Sequence, residues 1–349
     1  MHNDVMLDEK TYITSLGEES LGFFEKVAGE AQGHLNHPGV SYTSIANAGG
    51  MNDDAILEHL EKVNHALREN YQQLAKEPAI ARVVTLDQEE QLKTFYFCRA
   101  GGGICGLVGG RAPLGRLASL DAGDKFQWKD KTYWVLENAK FRPLSKDGVW
   151  DSLNTILETE DLGPLTVPSL RKFLDSAAAQ GADAPVDLLS ALLAEDAPEA
   201  VYIPGVQRDR IESMTLRDRP VLDKFQDEIF RLPLNQQLVL LGPPGTGKTT
   251  TLIRRLGQKV DITSPDSLTE EERGLLAQSD RLRDHATSWL MFTPTNLLKQ
   301  YLKEAFNREG VPAPDQRLIT WERFQRDVAR NDFNILRGGN GKGLFVLRE

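Results

Sequence analysis

Cysteine is nearly absent from this sequence: 349 residues hold two, Cys98 and Cys105. Two cysteines make no disulfide framework, and no second pair is at hand for a structural zinc site. They read as free thiols in or beside a strand. Long apolar runs are missing too. No stretch approaches the roughly 20 residues needed to cross a bilayer, and the amino terminus, MHNDVMLDEK, has no apolar signal core. These absences argue against a membrane partner and place the expected location in the cytoplasm. Internal repeats and low-complexity tracts are also lacking. What remains is ordinary globular material, 40% hydrophobic and 26% charged. The length suggests two or three domains.

The charge is uneven. Residues 1–200 carry 18 Lys and Arg against 31 Asp and Glu, a balance of −13. Residues 201–349 carry 23 against 20, a balance of +3, and the two sum to the net −10. The acidic part is a poor holder of nucleic acid by itself. The remainder could serve only through local basic patches.

Residues 8–34 read as a helix, with Leu16, Leu21, Phe23, Phe24 and Val27 at apolar positions. A second helix is expected from Asp53 to Lys76. Asp53 and Asp54 suit its first turn, where the helix dipole favours negative charge. Ile56, Leu57, Leu60, Val63, Leu67 and Leu74 supply its apolar stripe. Two helices around a loop can form an antiparallel hairpin or an ordinary helical subdomain. From residue 79 the character changes. ARVVTL, KTFYFCR, DKFQW and TYWVLE are short and rich in β-branched or aromatic residues, with glycine-rich turns between them.

Within this β-rich stretch, Ala112-Pro113-Leu114-Gly115-Arg116-Leu117 and Gly123-Asp124-Lys125-Phe126 resemble the carboxy-terminal domain of Gre-type (GreA/GreB) transcription factors. That domain carries a SPLGRALLGKKVGDEV segment between strands. The resemblance covers residues 79–142. It implies an FKBP-like fold that docks at the rim of the RNA polymerase secondary channel. In Gre factors a preceding coiled coil holds a metal ion on acids at its tip. The matching tip motif is absent here, Asp53 and Asp54 suit a helix start, and transcript cleavage is not carried over. Residues 144–205 read as a connector rich in small residues, acids and prolines, with short helices near 167–178 and 185–194.

Gln237-Leu238-Val239-Leu240-Leu241 reads as a short strand running into Gly242-Pro243-Pro244-Gly245-Thr246-Gly247-Lys248-Thr249, and the helix TTTLIRRL follows. This is the G-x-x-x-x-G-K-[ST] Walker A motif, or P-loop, in strand–loop–helix context. Its glycines let backbone N–H groups turn inward around phosphate oxygens, and the helix amino terminus adds positive potential. Lys248 is expected to reach the β and γ phosphates of ATP, Thr249 to give a hydroxyl to Mg²⁺, and Thr250 to lie alongside.

The flanks resemble superfamily 1 helicases of the UvrD/Rep kind. Leu222-Asp223-Lys224-Phe225-Gln226 is similar to their LNxxQ adenine-reading motif, with Asp223 where asparagine is usual. That likeness implies that Gln226 contacts adenine, which an amide can both donate to and accept from. Trp289-Leu290-Met291-Phe292-Thr293-Pro294-Thr295-Asn296 resembles motif Ia, and Leu318-Ile319-Thr320-Trp321-Glu322-Arg323-Phe324 resembles the TFHS segment, with Glu322 for histidine. The resemblance covers about residues 218–335 and implies contacts from Thr293, Thr295, Asn296, Thr320 and Trp321 to single-stranded DNA. Read without it, Thr293 to Asn296 are helix caps and Trp321 is core.

No apolar strand after Thr249 ends in the Asp-Glu of a Walker B motif, which would hold Mg²⁺ and the attacking water. The last candidate, Leu344-Phe345-Val346-Leu347, runs into Arg348-Glu349. The fold expected is multidomain α/β. It comprises a helical region (1–78), an FKBP-like β-rich domain (79–143), a connector (144–205) and a partial RecA-like P-loop domain with a parallel sheet (206–349). The activity implied is that of the ATP-binding amino-terminal part of a DNA helicase, with RNA polymerase as a second partner. An RNA polymerase channel binder that does not hydrolyse ATP, and an AAA+ ATPase, are the other readings.

Overall fold

The computed structural model describes residues 2–36, 53–99, 101–160, 163–180, 221–234, 236–243, 245–260, 268, 270–277, 289–309 and 311–333. The chain divides into two compact units, residues 1–225 and 226–349. Helices and a mixed sheet make it an α/β protein.

The first unit opens with α1 (His2–Asn36) and α2 (Asp53–Lys76). The second helix begins at the acidic pair, as its dipole favours. The side chains of Ile56, Leu57, Leu60 and Val63 lie outside the described residues. Leu74 is buried, and Tyr71 stacks on His34 with centroids 4.7 Å apart. The two helices therefore meet near the carboxyl end of each.

Eight strands follow: β1 (Ala81–Asp87), β2 (Leu92–Cys98), β3 (Val108–Gly109), β4 (Lys125–Trp128), β5 (Lys131–Lys140), β6 (Pro143–Lys146), β7 (Val149–Thr159) and β8 (Leu165–Ser169). They run in the order β3-β2-β1-β5-β7-β6, with β4 on β5 and β8 on β7. The pleat sorts side chains onto two faces. Tyr96 and Cys98 join the core under α1, with Phe24, Val27, Phe141 and Trp150. Phe95 and Phe97 join the opposite core with Val83, Leu117, Tyr133 and Val135. Leu117 belongs to a 3-10 turn, Pro113–Ser119, whose first residue is proline, a good start for a turn that needs no N–H there. Gly115 of that turn has no room for a side chain: a Cβ would lie 2.4 Å from the Gly110 carbonyl. Arg82 ties α1 to the sheet. It meets Glu19 and Glu137 at 3.0 Å each, and the Tyr12 and Tyr96 hydroxyls donate to the same two carboxylates.

The connector expected from residue 144 is corrected over its first part. Pro143–Lys146, Val149–Thr159 and Leu165–Ser169 are three more strands of the same sheet, and α3 (Leu170–Gln180) packs behind them. This helix coincides with the one expected near 167–178. The one expected at 185–194 lies outside the described residues.

The second unit contains α4 (Lys224–Arg231, which starts in the first unit), α5 (Lys248–Val260), α6 (Glu270–Ala277), β9 (Met291–Thr293), α7 (Asn296–Arg308), β10 (Leu318–Thr320) and α8 (Trp321–Asn331). β9 and β10 pair in parallel. The segment expected as a strand, Gln237–Leu241, pairs with no strand among the described residues. Its side chains still alternate: Leu238 and Leu240 are half-buried, while Val239 and Leu241 are 82% and 85% exposed.

Candidate functional site

The glycine-rich loop is built from the backbone up. Gly245 and Gly247 sit at φ +80° and +78°, a region that only glycine enters without strain. Their left-handed turns let consecutive N–H groups face one concavity, the geometry of an anion nest. Lys248 folds back across the loop, and its ammonium donates to the carbonyls of Gly242 (2.7 Å) and Pro243 (2.6 Å). The Thr246 hydroxyl donates to the Pro243 carbonyl at 2.9 Å. The loop is thus closed on itself by a cation and a hydroxyl at the head of α5. Pro244 lies outside the described residues. Thr249 is exposed in the first turn of α5, and Thr250 is half-buried beside it.

Helix α5 anchors the loop from below. The Thr251 N–H and hydroxyl both donate to the Gly247 carbonyl, at 2.9 and 3.0 Å, and Ile253 is buried. Arg254 forms a buried ion pair with Glu309 at 2.9 Å. Arg255 donates to the carbonyls of Ile229, Leu232 and Pro233, at the end of α4. Burial lowers the Arg255 pKa, and nearby Glu272 opposes that shift. Glu272 is fully buried. It pairs with Lys259 at 2.7 Å and accepts from the Leu234 N–H.

These arginine contacts fix α4 against α5 and bring Gln226 to the loop. The Gln226 amide donates to the Thr246 carbonyl at 2.9 Å, and its Nε2 lies 2.6 Å from where a Cβ on Gly247 would stand. Two residues 22 apart in sequence from the viewpoint of Lys248 are so joined in one site. Sequence reasoning singled out Gln226 but missed Arg255, Arg254, Glu309 and Glu272. The only trace of the first two was the pair of arginines inside TTTLIRRL, which reads as solvated helix.

A second constellation lies at the carboxyl ends of β9 and β10. Thr293 and Thr320 are partners across the parallel pair. Thr293 is buried, and its hydroxyl donates to the Thr295 carbonyl at 3.1 Å. Thr295 caps α7 by accepting from the Leu298 N–H at 3.2 Å, and Asn296 is the first residue of that helix. Thr320 caps α8 by accepting from the Arg323 N–H at 3.3 Å. Thr295 and Thr320 are thus helix caps, whereas Thr293 ends β9 and Asn296 lies inside α7. Trp321 is no core residue. It is 52% exposed and shares a half-open aromatic group with Phe292 and Phe324, centroids 5.2 and 5.6 Å away. Nearby, Asp315 accepts from Lys299 and Lys303 at 2.6 and 2.8 Å, and these hydrogen bonds pull its carboxyl down to about 2.

Among the described residues no group of three or more His, Cys, Asp or Glu could hold a metal ion, and no helix is long and apolar enough to cross a membrane. Neither a known protein-family model nor a curated protein matches the chain.

Proposed function

We propose that this chain is an ATP-binding part of a superfamily 1 DNA helicase or translocase, with the second unit a partial RecA-like domain and residues 79–143 within an FKBP-like, Gre-type domain. The observation that carries the reading is the loop Gly242–Thr249. Its two left-handed glycines and Lys248 at the head of α5 suit a cradle for a polyphosphate. Phosphate oxygens replace the Gly242 and Pro243 carbonyls as partners of Lys248, a charge-assisted exchange that favours the ligand. Thr249 gives its hydroxyl to the Mg²⁺ that accompanies ATP. Gln226 stands at the loop, where its amide can turn from the Thr246 carbonyl to an adenine edge.

Single-stranded DNA is the proposed polymer partner. The parallel pairing of Thr293 with Thr320, and the half-open Trp321 beside them, group hydroxyls and an aromatic ring suited to phosphates and bases. RNA polymerase is the proposed second partner and rests on the Gre resemblance alone. Pull-down with core RNA polymerase tests that part separately.

The deciding experiment is calorimetry of Mg-ATP with the wild-type chain and with Lys248→Ala. Loss of the ammonium should weaken binding by about tenfold or more. Equal affinities in the two proteins would remove the site.

A further inference from the structure

The β4–β5 hairpin carries features that the nucleotide site does not use. Strand β4 pairs only with β5 among the described residues. Its register pairs Trp128 with Lys131 and Lys125 with Trp134. A two-residue turn makes Trp128 and Lys131 the hydrogen-bonded closing pair, and bonding then alternates along the ladder. Phe126 and Asp124 bond inward, as the 2.9 Å contact from the Val135 N–H to the Asp124 carbonyl shows. The N–H and C=O groups of Lys125 and Gln127 therefore point away from β5. Both residues are exposed, and among the described residues no turn, loop or cap hydrogen bond engages those backbone groups.

The side chains around this edge share a character. The paired positions Leu92–Leu86–Trp134–Lys125 form one row across four strands. Leu92 in that row is 67% exposed and Trp134 39%. Lys125 stands 4.4 Å over the Trp134 ring and Lys129 4.6 Å over Trp128. Residues 111–134 hold five basic residues (Arg111, Arg116, Lys125, Lys129, Lys131) against three acids (Asp121, Asp124, Asp130), inside a part of the chain whose balance is −13. One of the three acids, Asp124, is already bound by Lys224 at 2.6 Å. An open strand edge is a liability unless it is blunted or used.

We infer that β4 accepts an added strand from an acidic, extended polypeptide of another protein. Backbone groups of Lys125 and Gln127 would give the register, and Lys125, Lys129 and Lys131 would select acidic side chains. The apolar row gives alternate side chains of the added strand a surface to rest on. This inference does not depend on nucleotide binding.

The test uses the full chain and a fluorescein-labelled peptide alternating glutamate with valine. Peptide binding is read by anisotropy, and backbone exchange by hydrogen–deuterium exchange. Binding should slow exchange of the Lys125 and Gln127 amides. Gln127→Pro removes the outward N–H without touching the β4–β5 ladder, so affinity should fall about tenfold or more while the unfolding midpoint holds. Should that variant unfold, Lys125→Glu serves instead, with a similar loss and a smaller further weakening by added salt than the wild type shows, because the attraction that salt screens has been reduced. A peptide with lysine in place of glutamate should not bind. The idea is overturned if the acidic peptide does not bind, if it binds without protecting those two amides, or if the lysine peptide binds equally well.

Discussion

Gly247 is held at φ +78°, and an added Cβ would meet the Gln226 amide nitrogen at 2.6 Å. Alanine there faces two separate costs. The backbone strain is of order 1 kcal/mol or more, whereas the clash falls on the end of a side chain that can swing away. We expect Gly247→Ala to weaken Mg-ATP binding, and Gln226→Ala in the same protein to recover none of the loss, since it relieves the clash but also removes the proposed adenine contact. Full recovery in a calorimetric titration would show that the loop does not need its left-handed turn. Cys105 offers a second test at this scale. Burial and the Glu30 carboxylate, 2.7 Å from its sulfur, push its thiol up to about 11. The thiolate is the reactive form, so the thiol should alkylate slowly at neutral pH. Glu30→Gln removes the acceptor charge that favours the protonated thiol. Iodoacetamide labelling should then run faster at the same pH. An unchanged rate would show that Glu30 does not control the thiol.

At the scale of elements, α5 is fixed by ion pairs as much as by apolar contacts. Arg254 and Glu309 are both buried. Removing one partner leaves an uncompensated buried charge, at a cost of about 3–5 kcal/mol, whereas an apolar pair of similar size is often neutral. Arg254→Ala should therefore lower the urea midpoint sharply, and Arg254→Met with Glu309→Leu should restore most of it. A double variant no better than Arg254→Ala would show that the pair itself carries the stability. The same packing explains what could be read from sequence. Strands β1 and β2 were legible because they are dense in β-branched and aromatic residues, Val83 to Thr85 and Phe95 to Phe97. Strand β7 was not, because its inward positions include Ser152 and Thr155. Their hydroxyls satisfy each other at 2.7 Å, and Ser169 donates to Asp151 at 2.7 Å at the head of α3. Polar groups that are bonded inside a core give no apolar period. Asn154, at φ +47°, interrupts the alternation further. Around the glycine-rich loop, helix α5 was legible from the local motif, while the expected strand Gln237–Leu241 pairs with no strand among the described residues. The Arg255 contacts that place α4 beside the loop were not legible, since nothing in a helical arginine says which distant carbonyls it will meet.

For the whole molecule, binding and turnover make separate demands. In the proposed reading, the loop from Gly242 to Thr249 and the helix behind it hold the polyphosphate. Turnover also needs a group that orients water and positive charge on the transferring phosphoryl. The sequence after Thr249 has no apolar strand ending in Asp-Glu, and the described strands β9 and β10 both end in threonine. This chain should therefore bind Mg-ATP and hydrolyse it very slowly. Single-stranded DNA should not rescue the rate. The proposed contacts of Thr293, Thr320 and Trp321 with a strand do not supply the missing Asp-Glu. A steady-state assay with and without single-stranded DNA measures this directly, and Lys248→Ala subtracts any contaminating ATPase. DNA-stimulated turnover at about 1 s⁻¹ or above, the low end for working enzymes, would mean that acidic and cationic groups elsewhere in the chain complete the site.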